Sequence, residues 1–125
     1  MLRFYKSFRY ALNGFILLVK TERNFQIIVG CMILTLIVGF SLDHYHQHLS
    51  RFEWAALWLA MGLVFVSEAL NTAIEKTLDT LHPGQNEGVG KAKDMAAGAT
   101  LVASTIALIV GGYILLPRII AAFTL

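Results

Sequence analysis

WAALWLAMGLVFVSEALNTAIEKTLD, residues 54–79, begins as an apolar run and ends as a stripe of acids. Glu68, Asn71, Glu75 and Asp79 follow one another at i, i+3, i+7 and i+11. That spacing stacks three carboxylates and an amide along one face of an α-helix. Between Trp54 and Leu81 Gly62 is the one helix-weakening residue, so the pattern predicts a single helix of roughly seven to eight turns. An ionised carboxylate costs roughly 2.5–3.5 kcal/mol at a bilayer centre and less toward the interface. A carboxylate stripe at the end of a membrane span therefore needs compensation, most commonly a divalent cation or a reacting substrate.

The rest of the chain supports a membrane reading. Of its 125 residues 57% are apolar and 14% charged, against about 25% charged in soluble domains. The apolar residues fall in three blocks, Ile27 to Leu42, Trp54 to Ser67 and Met95 to Pro117. A span needs roughly 20 residues, which predicts crossings over 23–42, 52–73 and 95–117 within a single domain covering 1–125. The amino terminus lacks the apolar core and small-residue site of a cleaved signal peptide. Cys31, alone in the sequence, lies inside the first span, so no intrachain disulfide is expected.

Charge orients these spans. Five of the ten Lys and Arg residues precede the first span, and Lys76, Lys91 and Lys93 lie between the second and third. Arg51 alone lies in the first loop, and Arg118 alone follows the third block. By the positive-inside rule, the amino terminus and second loop are cytoplasmic and the carboxyl terminus lies outside. Glu22, Glu68, Glu75, Asp79, Glu87 and Asp94 gather on the same cytoplasmic side. Residues 1–20 form a further helical pattern, with Phe4, Phe8, Leu12 and Phe15 opposed to Lys6, Arg9 and Asn13. This amphipathic segment suits a helix lying on the membrane surface. The histidine-rich stretch Asp43 to His48 reads as an interfacial turn. His82 to Asn86 breaks the second span, Gly88 and Gly90 keep the loop supple, and the third helix is predicted from about Lys91.

A short connection makes the second and third spans antiparallel neighbours. Lys93 and Asp94 then reach the depth of Glu75 and Asp79, and Glu22 opens the first span at that depth. Carboxylates, a lysine and a helix amino terminus at one level suit a metal–nucleotide site. Mg²⁺ uses one or two carboxylates plus substrate phosphates, and lysine and the helix start neutralise phosphate. Phosphoryl transfer also needs an acceptor for the attacking hydroxyl's proton. Glu68, deepest of the stripe, is the candidate.

With these residues in hand, the sequence resembles the prokaryotic diacylglycerol kinase family, which includes undecaprenol kinases. The likeness rests on Glu68-Ala69-Leu70-Asn71-Thr72-Ala73-Ile74-Glu75 with Asp79, on Lys91-Ala92-Lys93-Asp94, and on Asn13-Gly14 and Glu22-Arg23-Asn24-Phe25. The resemblance implies an all-α integral membrane homotrimer of three-span subunits, each with an amino-terminal surface helix, in the bacterial cytoplasmic membrane. Its implied activity is Mg-ATP-dependent phosphorylation of a lipid alcohol, undecaprenol favoured over diacylglycerol. Glu68 would be the catalytic base, and Glu22 and Glu75 the metal ligands. Asn71, Asp79, Lys93 and Asp94, with Arg3 and Tyr10, would contact nucleotide, and Asn13 and Glu68 the lipid. No nucleic-acid partner is expected. The segment Gly84 to Glu87 departs from the family's acidic-aromatic-His stretch, so no adenine contact is carried over to it. A proton-coupled transporter would need four spans and a mid-membrane Glu. A non-enzymatic assembly subunit would not require acids facing Lys93 and Asp94.

Overall fold

Each periodic segment becomes a helix in the computed structural model, which describes residues 2–45 and 47–124 apart from the side chains of Leu2 and Asp43. The elements are α1 (Leu2–Thr21), α2 (Arg23–His44), α3 (Arg51–Leu81) and α4 (Glu87–Phe123). Three of them, α2 to α4, are long and apolar enough to cross a membrane, and the described residues contain no strand. This is a membrane protein with three candidate spans, one fewer than a four-span transporter requires.

Side-chain contacts set the register of α3 against α4. Asp79 meets Lys93, Ser67 meets Thr100, and Glu53 meets Arg118. As the number rises on one helix it falls on the other, so the pair is antiparallel along its full length. The Ser67 and Thr100 hydroxyls lie 3.1 Å apart, an interhelical hydrogen bond of the kind small polar residues make between membrane helices. Far from it, Arg118 pairs with Glu53 at 2.7 Å and donates to the Ile114 carbonyl. That second bond reinforces the turn where Pro117 interrupts the backbone ladder.

Against α3, α2 also runs antiparallel. Gly39 lies so close to Trp54 that a Cβ there would come within 2.6 Å of the indole, and the flanking Phe40 ring is 4.8 Å from it. Toward the acidic end Phe25, fully buried, sits 4.5 Å from Phe65 and 6.5 Å from Phe15 of α1. Leu42, Leu49, Leu57, Met61 and Ile114 form the opposite core cluster.

Two boundaries depart from expectation. α4 begins at Glu87, a turn before Lys91, because Asn86 caps it by accepting from the Val89 amide at 3.2 Å. Gly88 and Gly90 thus sit in the first helical turn rather than in a supple loop. α4 also continues through Pro117 to Phe123. At 1.5 Å per residue, the 31 residues of α3 and 37 of α4 reach roughly 46 and 55 Å, beyond a hydrocarbon core of about 30 Å. Glu75 and Asp79 on α3 and Lys93 on α4 fall outside the apolar blocks that end at Ser67 and begin at Met95.

Candidate active site

The acidic stripe of α3 divides by depth. Glu68 and Asn71 belong to the buried face that also carries Leu57, Ala60, Met61, Val64 and Thr72, and Glu68 is 5% and Asn71 7% exposed. Glu75 is half-buried and Asp79 exposed. The helix therefore brings two polar side chains inside the bundle and holds the next two at its rim. Asn71 donates from Nδ2 to Glu75 Oε1 at 3.2 Å. Its Oδ1 is buried without a partner, and among the described residues the Glu68 carboxylate has no hydrogen-bond or ionic partner either. Buried polar groups without partners are rare and costly.

Around this pair the other groups arrive from three elements. Glu22 stands at the elbow between α1 and α2, where Gln26 Nε2 donates to the Val19 carbonyl across the junction. Its Oε1 accepts from Thr21 Oγ1 at 2.7 Å and meets Lys76 Nζ at 2.9 Å. On α4, Lys93 Nζ grips both Asp79 oxygens at 2.8 and 3.1 Å, with the Glu75 charge within electrostatic reach. Beyond them Asp79, His82, Gly84, Asn86 and Lys93 line an open cavity of about 700 Å³ between the end of α3 and the start of α4. The first turn of α4 borders this cavity, with the Val89 amide donating to the Asn86 side chain and the Gly90 amide to the Asn86 carbonyl.

The expected site residues are thus partly assembled. Asn71 pairs with Glu75 and Asp79 with Lys93, while Glu22 pairs with Lys76 rather than with any other expected site residue. Asp94 is exposed, and Arg3, Tyr10 and Asn13 lie exposed on α1; none of these four pairs with the others among the described residues. Lys76, which the sequence marked as a charge alone, is the residue that ties α3 to the elbow. Its position next to Glu75 was the available signal. Likewise, Thr72 is buried at 6% exposure beside Asn71. The described residues hold no cluster of three His, Cys, Asp or Glu side chains, in the histidine-rich turn or elsewhere; His46 lies outside them.

Hydrogen bonding from Lys76, then from Thr21, holds the Glu22 carboxyl below its ordinary 4.5. A depressed carboxyl contributes stability that is present above its unfolded value and is lost as pH falls through the folded one. Replacing Lys76 by methionine is expected to lower the melting temperature in detergent slightly near neutrality, as exposed pairs are weak. The gap between wild type and variant should close as the solution is acidified below 4.5. A gap that widened in acid would contradict the pairing.

The family model for prokaryotic diacylglycerol kinase matches residues 9–115. The chain is similar to an undecaprenol kinase of Bacillus subtilis, 40% identical over 117 residues, 94% of this chain and 91% of the relative. It is also similar to a diacylglycerol kinase of Synechocystis, at 41% identity over 92% of this chain and 63% of the longer relative. A diacylglycerol kinase of Pseudomonas aeruginosa is 33% identical over 86% and 83% of the two chains. With the acids, lysine and membrane helices placed as described, the chain belongs to the prokaryotic diacylglycerol kinase family.

Proposed function

We propose that this lipid kinase moves the terminal phosphoryl group of Mg-ATP to the hydroxyl of undecaprenol at the cytoplasmic face of the membrane. One observation carries the reading: Glu68 and Asn71 are buried residues between an apolar span and a charged rim, and the Asn71 Oδ1 is buried without a partner. A lipid alcohol presents its hydroxyl at that boundary, and a nucleotide reaches the rim from water. The likeness to the Bacillus undecaprenol kinase favours undecaprenol over diacylglycerol.

The donor set fits Mg²⁺. Glu22 and Glu75 offer hard oxygen ligands, and the Lys76 ammonium beside Glu22 already stands where positive charge is favoured. With fewer than three acids grouped among the described residues, phosphate and water would complete the coordination, as Mg²⁺ commonly requires. When bound, the ion would neutralise charge on the phosphates. Lys93, the start of α4, Asn71, Asp79 and Asp94 would hold the nucleotide, with Arg3 and Tyr10 closing over it from α1. Asn13 would face the lipid. Glu68 would accept the hydroxyl proton while the lipid oxygen bonds to the γ-phosphorus and the bond to the β–γ bridging oxygen breaks, leaving ADP. α1 would lie on the inner membrane surface, and three copies would form the working assembly.

Purified protein in detergent micelles with [γ-³²P]ATP and either undecaprenol or diacylglycerol tests this reading. Magnesium-dependent label in the extracted lipid monophosphate, faster with undecaprenol, is the expected result. Label released solely as inorganic phosphate would overturn the transfer, and faster labelling of diacylglycerol would overturn the acceptor.

A further inference from the structure

Two lysines hold two of the expected site acids, and they do so differently. Lys93 Nζ, from α4, spans both oxygens of Asp79 at 2.8 and 3.1 Å. Lys76 Nζ reaches from α3 to the elbow between α1 and α2 and meets Glu22 Oε1 at 2.9 Å. That oxygen also accepts from the Thr21 hydroxyl at 2.7 Å, so an ammonium and a hydroxyl converge on one carboxylate atom. The lysine side chain is 60% exposed and the glutamate 24%. An ion pair so open to water is weak and readily exchanged.

Lys76 directly follows Glu75, the other carboxylate offered to the metal, and stands three residues before Asp79, where helical side chains are neighbours. Its ammonium rides on a flexible four-carbon stem. Released from Glu22, it stays close to the cavity that Asp79 and Lys93 border. A divalent ion arriving alone must displace this ammonium and then tolerate it nearby, at the cost of like-charge repulsion. An ion arriving with a nucleotide brings phosphate oxygens, which give the displaced ammonium a new partner. Freeing Glu22 is therefore compensated in the second case and not in the first.

Resting on the kinase reading and its Mg²⁺ site, we propose that Lys76 is a tethered counter-ion: it occupies Glu22 in the empty enzyme and yields it to a metal–nucleotide complex in preference to a free ion. Lys76 is a positioning residue in this role, acting on the metal through Glu22. The consequence is coupled binding. Nucleotide raises the affinity for the ion, and by linkage the ion raises the affinity for nucleotide by the same factor.

The test uses the whole chain in detergent micelles with Mn²⁺ as the probe, a paramagnetic cation that shares the oxygen-ligand preference of Mg²⁺. Mn²⁺ alone is titrated by its EPR signal, and its complex with the non-hydrolysable analogue AMP-PCP by equilibrium dialysis. Lys76→Met keeps the stem and removes the charge. It should bind Mn²⁺ alone about fivefold more tightly, the upper end for loss of one exposed ion pair. It should bind the Mn²⁺–AMP-PCP complex no more tightly than wild type. Lys76→Arg should behave as wild type, and added salt should narrow the gap by screening. A lysine that merely braced the elbow would give the opposite sign, since its loss would loosen Glu22 and weaken the metal site. Unchanged or weaker Mn²⁺ binding by folded Lys76→Met, or equal tightening for ion and complex, would overturn the proposal. Glu22→Gln separates this outcome from failure of the metal site itself. Mn²⁺ binding lost in Glu22→Gln, with no gain in Lys76→Met, removes the role of Lys76 alone. Mn²⁺ binding untouched by Glu22→Gln removes the ligand and the proposal together. Neither titration needs phosphoryl transfer, so a failure to label lipid tells against the kinase reading by itself.

Discussion

Glu68→Gln is expected to reduce kcat by about 10²–10⁴, the usual contribution of a positioned proton acceptor. Glutamine matches the shape of the side chain, and its amide cannot take the proton of an attacking hydroxyl. Burial sharpens the loss, since at 5% exposure the side chain leaves little room for a water to deputise. Stability should change little, because glutamine keeps the size and packing of a side chain on the buried face of α3. Nucleotide affinity should stay near the wild-type value, because Glu75, Asp79 and Lys93 lie one turn or more farther along the helices. Steady-state kinetics with a melting curve on the same preparation checks all three. Full turnover in Glu68→Gln would remove the residue from the base role and leave the kinase reading intact.

Phe25→Ala should be the most damaging substitution outside the acids. The ring is fully buried and pairs with both Phe15 and Phe65 through edge contacts, so one side chain joins α1, α2 and α3. Phe→Ala costs about 3–5 kcal/mol in water-soluble cores. Lipid supplies an apolar alternative for the exposed surface, which places this site at about 3 kcal/mol, with packing rather than water release as the main loss. Glu22 is three residues away, at the elbow this cluster braces. The variant should therefore also need more Mg²⁺ for half-maximal rate, and Phe25→Leu should recover most of both losses. Equilibrium unfolding in mixed micelles and a magnesium titration provide the readouts. Unaltered stability in Phe25→Ala would show that the cluster carries no weight.

The helices were legible because their causes are local. Apolar runs mark α2, α3 and α4, the first two reaching spanning length with flanking residues, and the absence of Pro and of Gly other than Gly62 carries α3 to Leu81, where His82 and Pro83 end it. α4 starts at Glu87 and not near Lys91 because the Asn86 side chain caps it: a side-chain acceptor outweighs the two glycines. Pro117 looked like a terminus, yet the helix runs through it, with Arg118 bonding the Ile114 carbonyl. The stripe from Glu68 to Asp79 followed from the 3.6-residue period, but period says which residues share a face, not what that face meets.

Sequence alone therefore set the membrane class, the helix count and the identity of the acids, since hydropathy and helical spacing act within single segments. Three-dimensional packing settled that Glu68 and Asn71 lie inside the bundle and that Lys76 reaches Glu22. Those features arise between residues far apart in the chain, where the fit of three helices, and not the preference of any one, determines the distances.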